Sequence, residues 1–360
     1  MEIIQLDDYN ILIGDVWSTL NTFLKESSYS KMAILIDENI EEFCLPIFKK
    51  NTPNFDFLKI KINSGEQHKN LETCQNIWQQ MMALDLNRNA LMINLGGGVI
   101  GDMGGFCAST FKRGMDFLQM PTTLLSQVDA SIGGKLGIDF MQVKNSIGLF
   151  NNPRAVLIVP EFLKTLPFNE IRSGFAEIIK HTLIDNAEQW DALQSIQDLK
   201  KVDWPAYLSP SLYIKKRIVD EDPFEKGIRK ALNFGHTVGH AIEGWALETS
   251  KPLLHGEAIA IGMICEAWLS HKVVGLPMEA VEQIVHFILK IYKPYHLPES
   301  AFEDYIHLMK KDKKNESAAI NFTMIQPIGK GMINQTAAQD LIIESLNFYN
   351  QLYPQKVGVD

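Results

Sequence analysis

The sequence has few cysteines and no long apolar runs, and each shortage excludes a class of protein. Its 360 residues include four cysteines, none of them in a CxxC pair: Cys44, Cys74, Cys107 and Cys265. This spacing fits reduced thiols in a cytoplasmic protein better than a disulfide framework. No segment reaches the ~18 consecutive apolar residues of a membrane span, and the opening residues lack the basic and apolar regions of a signal peptide. We therefore predict a cytoplasmic protein that does not enter a membrane.

Positive charge is also scarce. The chain carries 34 Lys and Arg against 43 Asp and Glu, a formal net charge of −9. Nucleic-acid binding needs a basic surface, so this balance argues against it, although a local basic pocket for a small anion remains compatible. A hydrophobic content of 46% with 21% charged residues is ordinary for a soluble globular protein, and the length allows two domains with large cores.

The first part of the chain alternates strands with helices. Predicted strands cover residues 31–37, 58–62, 90–95, 116–120 and 155–159, and a helix covers 70–84. This alternation indicates an α/β domain with a mainly parallel sheet and helices on both faces. From 168 to 297 nearly all of the sequence is helical in pattern, so we place the boundary at Leu166-Pro167 and predict domains at 1–166 and 167–360. The second domain is predicted to be all-α apart from one late strand at 319–325. A helix at 337–352 is its last predicted element.

Histidines in the helical half suggest a metal site. Residues 231–248 predict one helix, on which His236 and His240 lie four apart and share a face. His255 precedes the next apolar helix, and Glu177 is an acid inside an apolar run. A carboxylate with two imidazoles would make a catalytic zinc site with one open position. The alternative is a set of hydrogen-bonded core histidines, but several polar groups in apolar helices favour a shared partner.

Two glycine-rich segments suggest anion binding in the first half. Gly96, Gly98 and Gly101 satisfy G-x-G-x-x-G between a strand and a helix, where backbone N–H groups and the helix dipole hold a pyrophosphate. Helix–strand packing would explain the same glycines, and the motif is not at the first strand. The run 129–135 ends in Gly133-Gly134-Lys135, which suits a small anion but equally suits a surface loop. In the helical half Lys180, Lys215 and Arg229 flank the predicted metal site, and Lys180 lies among apolar neighbours.

Six motifs resemble, in order and spacing, those of the 3-dehydroquinate synthase family of the shikimate pathway: GGGVIGD, PTTLLSQVDASIGGK, KNSIGLF, GFAEIIK, EKGIRKALNFGHTVGHAIE and LLHGEA. The resemblance covers about residues 37–329. It implies an N-terminal NAD-binding α/β domain, a C-terminal helical domain and an active site between them. The expected enzyme is a phosphate-eliminating carbon–oxygen lyase of aromatic amino acid biosynthesis that uses NAD and Zn²⁺ or Co²⁺.

The resemblance also implies a role for each matching residue. The metal ligands are Glu177, His236 and His255. The NAD contacts are Asp37, Glu66, Lys69, Gly97, Gly98, Val99, Asp102, Thr122, Thr123, Lys144 and Thr165. The substrate contacts are Asp129, Lys135, Asn145, Lys180, Lys215, Arg229 and Asn233. His240 contacts the substrate and transfers protons, and Glu225 accepts a proton. In the implied homodimer, Arg113 of one subunit reaches into the active site of the other. Lys313 or Lys314 closes on the phosphate.

The implied reaction converts 3-deoxy-D-arabino-heptulosonate 7-phosphate to 3-dehydroquinate and phosphate. A metal-bound ring hydroxyl is oxidised transiently by NAD⁺, phosphate is eliminated, the hydride returns, and an intramolecular aldol reaction closes the carbocycle. Phosphate would be held by Lys135, Asn145 and the late lysine, and the carboxylate by Arg229 with Lys215.

The chain departs from the family pattern at a few positions. Met103-Gly104-Gly105 stands where Leu-Thr-Gly is common, and Asp222-Pro223-Phe224 replaces a more charged loop. These changes leave all the matched ligands in place. Related sugar-phosphate cyclases, a metal-dependent polyol dehydrogenase and a non-catalytic NAD sensor are the alternatives, and only the first two are enzymes.

Overall fold

The computed structural model describes residues 1–130, 132–141, 143–311 and 319–353. Contacts between Cα atoms group the chain into two compact units. Unit 1 contains Met1–Ile171 and Asp203–Lys216, and unit 2 contains Arg172–Val202 and the chain from Arg217 onward. The domain boundary at 166/167 stays a prediction.

Unit 1 is built on a seven-stranded sheet with the strand order β1-β2-β9-β6-β5-β3-β4. Its strands are β1 (Glu2–Gln5), β2 (Asn10–Ile13), β3 (Met32–Ile36), β4 (Leu58–Lys61), β5 (Leu91–Gly96), β6 (Asp116–Pro121) and β9 (Ala155–Ile158). All neighbours run parallel except β1 and β2. Central strands of a parallel sheet are covered on both faces, and every residue of β5 is accordingly buried. The predicted α/β domain with a mainly parallel sheet is confirmed.

The helices of unit 1 pack against this sheet. They are α1 (Trp17–Glu26), α2 (Glu38–Phe43), α3 (Leu45–Asn51), α4 (Leu71–Ala83) and α5 (Gly98–Thr110). The chain continues from β3 toward β4 on one side and from β5 toward β6 on the other, so the strand order reverses between β3 and β5. In open α/β sheets ligands bind beyond the carboxyl ends of the strands at such a reversal.

Two further strands form a separate hairpin in unit 1. Strands β7 (Lys135–Phe140) and β8 (Val143–Phe150) pair antiparallel. The sequence does not predict strands in this glycine-containing region. Strand β8 has no fully buried residue, so the apolar alternation that identifies a half-buried strand is missing.

Unit 2 is mainly helical. Its helices are α6 (Phe168–Asp185), α7 (Ala187–Gln194), α8 (Pro205–Glu221), α9 (His236–Ala246), α10 (His255–Val274), α11 (Met278–Ile291), α12 (Phe302–Lys311) and α13 (Gln339–Gln351). Helices α6 and α8 begin in unit 1 and end in unit 2. A hairpin of β10 (Asn321–Ile325) and β11 (Gly331–Thr336) completes the unit, and β10 confirms the late strand. Among the described helices none is long and apolar enough to cross a membrane.

The single helix predicted at 231–248 is wrong in its first turns. A 3-10 helix at Ile228–Asn233 precedes α9, which begins only at His236. Gly235 lies between the 3-10 helix and α9 with φ of +80°, a left-handed conformation that glycine adopts without steric cost. This conformation separates the two helices. Residue spacing alone cannot reveal such a break.

Helices α9 and α10 approach each other closely. A Cβ atom on Gly262 would lie 1.9 Å from the carbonyl oxygen of Gly235, and one on Gly239 would lie 3.0 Å from that of Ala258. Glycine is therefore needed where these two backbones meet. Their close packing brings the first residues of both helices, His236 and His255, into one cluster.

Candidate active site

Glu177 and two histidines converge in unit 2. The Oε1 atom of Glu177 lies 3.3 Å from Nε2 of His255 and 3.6 Å from Nε2 of His236. Glu177 comes from the middle of α6, whereas the histidines begin α10 and α9. The ring of His240, one turn along α9, lies 4.9 Å from that of His236 and 5.7 Å from that of His255 between centroids.

These donor atoms suit a divalent transition metal. Ligands bound to a tetrahedral zinc ion at about 2.0–2.1 Å lie roughly 3.3 Å from one another, close to the separations from Glu177. The other ring nitrogen of each histidine has an acceptor: Nδ1 of His236 lies 3.1 Å from the carbonyl oxygen of Phe234, and Nδ1 of His255 lies 3.3 Å from Oε2 of Glu243. With Nδ1 protonated in both rings, Nε2 is left as the metal-binding atom.

His240 offers a further donor. Ligand atoms of His236, His240 and His255 all lie within 4.8 Å of one another. Distance alone therefore allows His240 as a ligand. Its assignment to proton transfer stays a prediction.

The surroundings of the two histidines shift their pKa values in opposite directions. Burial and then the Lys180 ammonium hold the pKa of His236 well below its ordinary value. Burial opposes protonation of His255, but the Glu243 and Glu177 carboxylates outweigh it and raise the pKa of His255 to about 10. The second carboxylate oxygen of Glu177 forms an ion pair with Lys180, and both side chains are almost fully buried. Lys180 therefore orients Glu177 so that Oε1 faces the rings.

A loop before α9 groups three more predicted residues. Asn233 donates a hydrogen bond from Nδ2 to Oε1 of Glu225 at 3.2 Å. Asp222 accepts hydrogen bonds from the backbone N–H groups of Lys226, Gly227 and Arg229, and this folds the loop around one carboxylate. Arg229 is buried and donates to the carbonyl oxygen of Pro223. The loop thus fixes the backbone on both sides of Glu225.

In unit 1 the glycine turn lies beyond the carboxyl end of β5. Gly97 precedes α5 and Gly98 begins it, so the backbone N–H groups of the first turn of α5 are available to an anion. Asp37 follows β3, the neighbouring strand, where its side chain accepts from the N–H of Ile40 at 2.8 Å and caps α2. Thr122 follows β6, and its buried Oγ1 has no hydrogen-bond partner among the described residues. A buried hydroxyl without a partner is costly, which suits a ligand at this edge of the sheet.

Lys69 links several of the predicted NAD contacts. Its Nζ atom lies 2.6 Å from Oδ2 of Asp102 and donates to Oδ1 of Asn145 at 2.7 Å, and Glu66 lies 4.0 Å away. Burial opposes the charge on Lys69, but Asp102 and Glu66 raise its pKa, so the ammonium is retained. These four residues form one polar cluster in unit 1.

Other predicted residues of unit 1 lie on several different elements. Lys215, from the first part of α8, forms an ion pair with Asp129 at 2.7 Å. Lys135 begins β7, Lys144 lies on β8, and Arg113 is exposed with φ of +69°. Thr165 donates to the carbonyl oxygen of Phe162, and Thr123 exchanges hydrogen bonds with Ser126. Lys313 and Lys314 lie outside the described residues.

Comparison with known proteins identifies the family. The N-terminal family model of 3-dehydroquinate synthase matches residues 59–173, and its C-terminal model matches residues 174–315. A 3-dehydroquinate synthase of Parabacteroides distasonis is 41% identical over 95% of this chain and 98% of its own length. The chain belongs to the 3-dehydroquinate synthase family. The resemblance inferred from the six motifs is thereby confirmed.

The fold of this member of the 3-dehydroquinate synthase family also matches solved cyclases. The 2-epi-5-epi-valiolone synthase of Streptomyces hygroscopicus, solved with NAD⁺ and Zn²⁺, superposes with a TM-score of 0.85 at 23% identity, covering 98% of this chain and 99% of that one. A 2-deoxy-scyllo-inosose synthase, solved with carbaglucose-6-phosphate, NAD⁺ and Co²⁺, gives 0.84 at 23% identity, covering 96% and 99%. At this identity the likeness concerns the fold.

Two acids of this 3-dehydroquinate synthase family member lie beside the cluster and are not among the residues predicted from the sequence. Glu243, on α9, contacts His255, and Glu266, on α10, accepts from the N–H groups of Gly235 and Val238. Both are carboxylates inside apolar helices. The same feature singled out Glu177 and could have found them.

Proposed function

We propose that this chain is a 3-dehydroquinate synthase that converts 3-deoxy-D-arabino-heptulosonate 7-phosphate to 3-dehydroquinate and phosphate, as a phosphate-eliminating lyase. The observation that carries the proposal is the convergence of Glu177, His236 and His255 beside Lys180, in a chain of this family. Those three side chains would hold the metal, Zn²⁺ or Co²⁺. When bound, the metal supplies Lewis-acid polarisation of a substrate oxygen, and NAD supplies a hydride acceptor that is regenerated.

The remaining residues of unit 2 would bind the substrate and move protons. Lys180 and Arg229 are buried cations and suit the negative groups of the substrate, because a desolvated charge interacts strongly with an anion. Asn233 and Glu225 form a hydrogen-bonded pair, in which Asn233 would orient the carboxylate of Glu225 for proton acceptance. His240 is the second proposed proton-transfer group. Lys313 or Lys314 completes the proposed phosphate contacts.

In unit 1 we propose a binding surface for NAD along the carboxyl ends of β3, β5 and β6. Gly97, Gly98 and Val99 would bind the pyrophosphate through N–H groups, and Asp37 would bind a ribose. The other proposed contacts with NAD are Glu66, Lys69, Asp102, Thr122, Thr123, Lys144 and Thr165. The proposed substrate contacts of this unit are Asp129, Lys135, Asn145 and Lys215.

The decisive experiment compares His236→Ala with the wild-type enzyme. The variant should lose bound zinc and phosphate release together, because two remaining ligands hold zinc weakly. His286→Ala, an exposed histidine on α11, is the matched control and should keep both. Full activity with metal retained in His236→Ala would refute the ligand assignment.

Product analysis separates the proposed reaction from its alternatives. Incubation with the heptulosonate phosphate, catalytic NAD⁺ and Zn²⁺ should yield phosphate and 3-dehydroquinate without net NADH. Another carbocycle from another phosphosugar would indicate a related cyclase, and net NADH from glycerol would indicate a polyol dehydrogenase. The identity of 41% to a 3-dehydroquinate synthase, against 23% to the solved cyclases, favours the first.

We further propose a cytoplasmic homodimer with domains at 1–166 and 167–360. All four cysteines are buried and free, as expected in a reducing compartment. The β7–β8 hairpin exposes Phe140, Met141, Val143 and Phe150, an apolar surface suited to a second copy of the chain. Sedimentation equilibrium tests the dimer, and a monomer at micromolar concentration would contradict it.

A further inference from the structure

His255 has a carboxylate on each side of its ring. The ring nitrogen that carries the proton therefore decides which nitrogen can bind a metal. Its Nε2 atom lies 3.3 Å from Oε1 of Glu177, and its Nδ1 atom lies 3.3 Å from Oε2 of Glu243. A neutral imidazole carries one proton and one lone pair, and an ionised carboxylate can only accept. Only the tautomer with the proton on Nδ1 leaves Nε2 free for a metal.

From this geometry we propose that Glu243 is a positioning residue that holds the proton of His255 on Nδ1 and so directs Nε2 to the metal. The inference rests on the proposed function, since it takes His255 as a ligand. Glu243 is not proposed to touch the metal or the substrate.

Burial and helix geometry make Glu243 suited to this role. Its side chain is 6% exposed and projects from α9 two turns after His236, while His255 begins α10. A carboxylate held by a packed helix keeps one direction and therefore orients its partner. The hydrogen bond between Glu243 and His255 thereby links α9 to α10 beside the cluster.

His236 provides an internal contrast. Its Nδ1 lies 3.1 Å from the backbone carbonyl oxygen of Phe234, so the main chain sets its tautomer. The corresponding partner of His255 is a side chain and can be removed by substitution. Loss of Glu243 should therefore affect one ligand of the metal and leave the other in place.

The test measures zinc affinity of the metal-free protein by competition with a chromophoric chelator. Removing the partner of a ligating histidine typically weakens metal binding about 10- to 100-fold, and we expect this of Glu243→Ala. Glu243→Gln keeps an acceptor oxygen without the charge and should lose less zinc affinity than Glu243→Ala. Glu248→Gln, an exposed acid after α9, is the control and should match the wild type.

Two further readouts distinguish positioning from a general structural role. The Co²⁺ absorption spectrum should change in Glu243→Ala, whereas the melting temperature of the metal-free Glu243→Gln protein should stay near that of the wild type. Wild-type zinc affinity and an unchanged Co²⁺ spectrum in both variants would overturn the proposal while leaving the metal site intact. Failure of the wild-type protein to bind zinc would overturn the proposed function, and this inference with it.

Discussion

At the scale of single residues, Gly104 lies where the structure leaves no room for a side chain. A Cβ atom at this position would lie 2.1 Å from Oδ1 of Asn94 and 2.8 Å from Cδ2 of Leu35. Asn94 lies on β5 and is buried, and neither of its amide atoms has a hydrogen-bond partner among the described residues. Glycine thus fits at position 104 because Asn94 occupies the space that a side chain would need.

This contact makes Gly104 and Asn94 a coupled pair. Gly104→Ala should lower the free energy of unfolding by about 1–3 kcal/mol, the usual cost of overpacking a core. Asn94→Ala/Gly104→Ala should recover most of the loss, with a coupling energy of about 0.5–3 kcal/mol. Urea unfolding of the four members of the cycle measures both quantities. Additive effects would show that the two residues do not compete for space.

Some residues of the candidate site can be predicted from the sequence and others cannot. The ligands Glu177, His236 and His255 follow from motifs whose order and spacing are distinctive. Their hydrogen-bond partners do not: Glu243 ends the motif EKGIRKALNFGHTVGHAIE, but nothing in that motif shows that its carboxylate reaches His255, twelve positions further along the chain. The spacing of residues along the chain does not predict contacts between side chains of different helices.

At the scale of elements, the start of α9 depends on a residue from another helix. Gly235 precedes α9 and has no side chain to cap it, so the N–H groups of Gly235 and Val238 donate to Glu266 of α10 at 2.6 and 3.0 Å. A buried carboxylate is costly by itself, but these donors and the positive end of the helix dipole compensate it. Glu266 therefore fixes α9 at the point where it presents His236.

Removal of Glu266 should destabilise this junction. Glu266→Leu leaves two buried N–H groups unpaired, at about 1–3 kcal/mol each, so we expect a loss of roughly 2–5 kcal/mol in unfolding free energy. Amide hydrogen exchange at Val238 should accelerate in the same variant. Glu282→Gln, an exposed acid on α11, provides the comparison. Native exchange rates at Val238 in Glu266→Leu would contradict the capping role.

Four of the strands that the sequence predicts share one property. Strands β3, β5, β6 and β9 are short apolar runs bounded by turns, which their composition predicts directly. Strand β8 reads VKNSIGLF and is largely exposed, so composition gives no indication of it. The break before α9 was missed for another reason: Gly235 interrupts the helix through its conformation while the apolar spacing continues on both sides.

At the scale of the whole molecule, the residues proposed to bind the metal and those proposed to bind NAD belong to different units of the chain. The proposed metal ligands belong to unit 2, whereas the glycine turn, Thr122 and the Lys69 cluster belong to unit 1. A ligand that binds only the folded state stabilises it by RT ln(1 + [L]/Kd), or about 2.7 kcal/mol at 100 times Kd. Zinc and NAD should therefore each raise the melting temperature through separate residues.

Variants of each unit should remove one of these shifts and keep the other. His236→Ala should abolish the zinc-induced shift and retain the NAD-induced shift. Thr122→Val removes a buried hydroxyl that has no partner among the described residues, so it should leave the ligand-free protein nearly as stable while weakening the NAD shift. Differential scanning calorimetry with each ligand alone measures all four cases. Loss of the zinc shift in Thr122→Val, or of the NAD shift in His236→Ala, would mean that the two groups of residues do not bind their ligands independently.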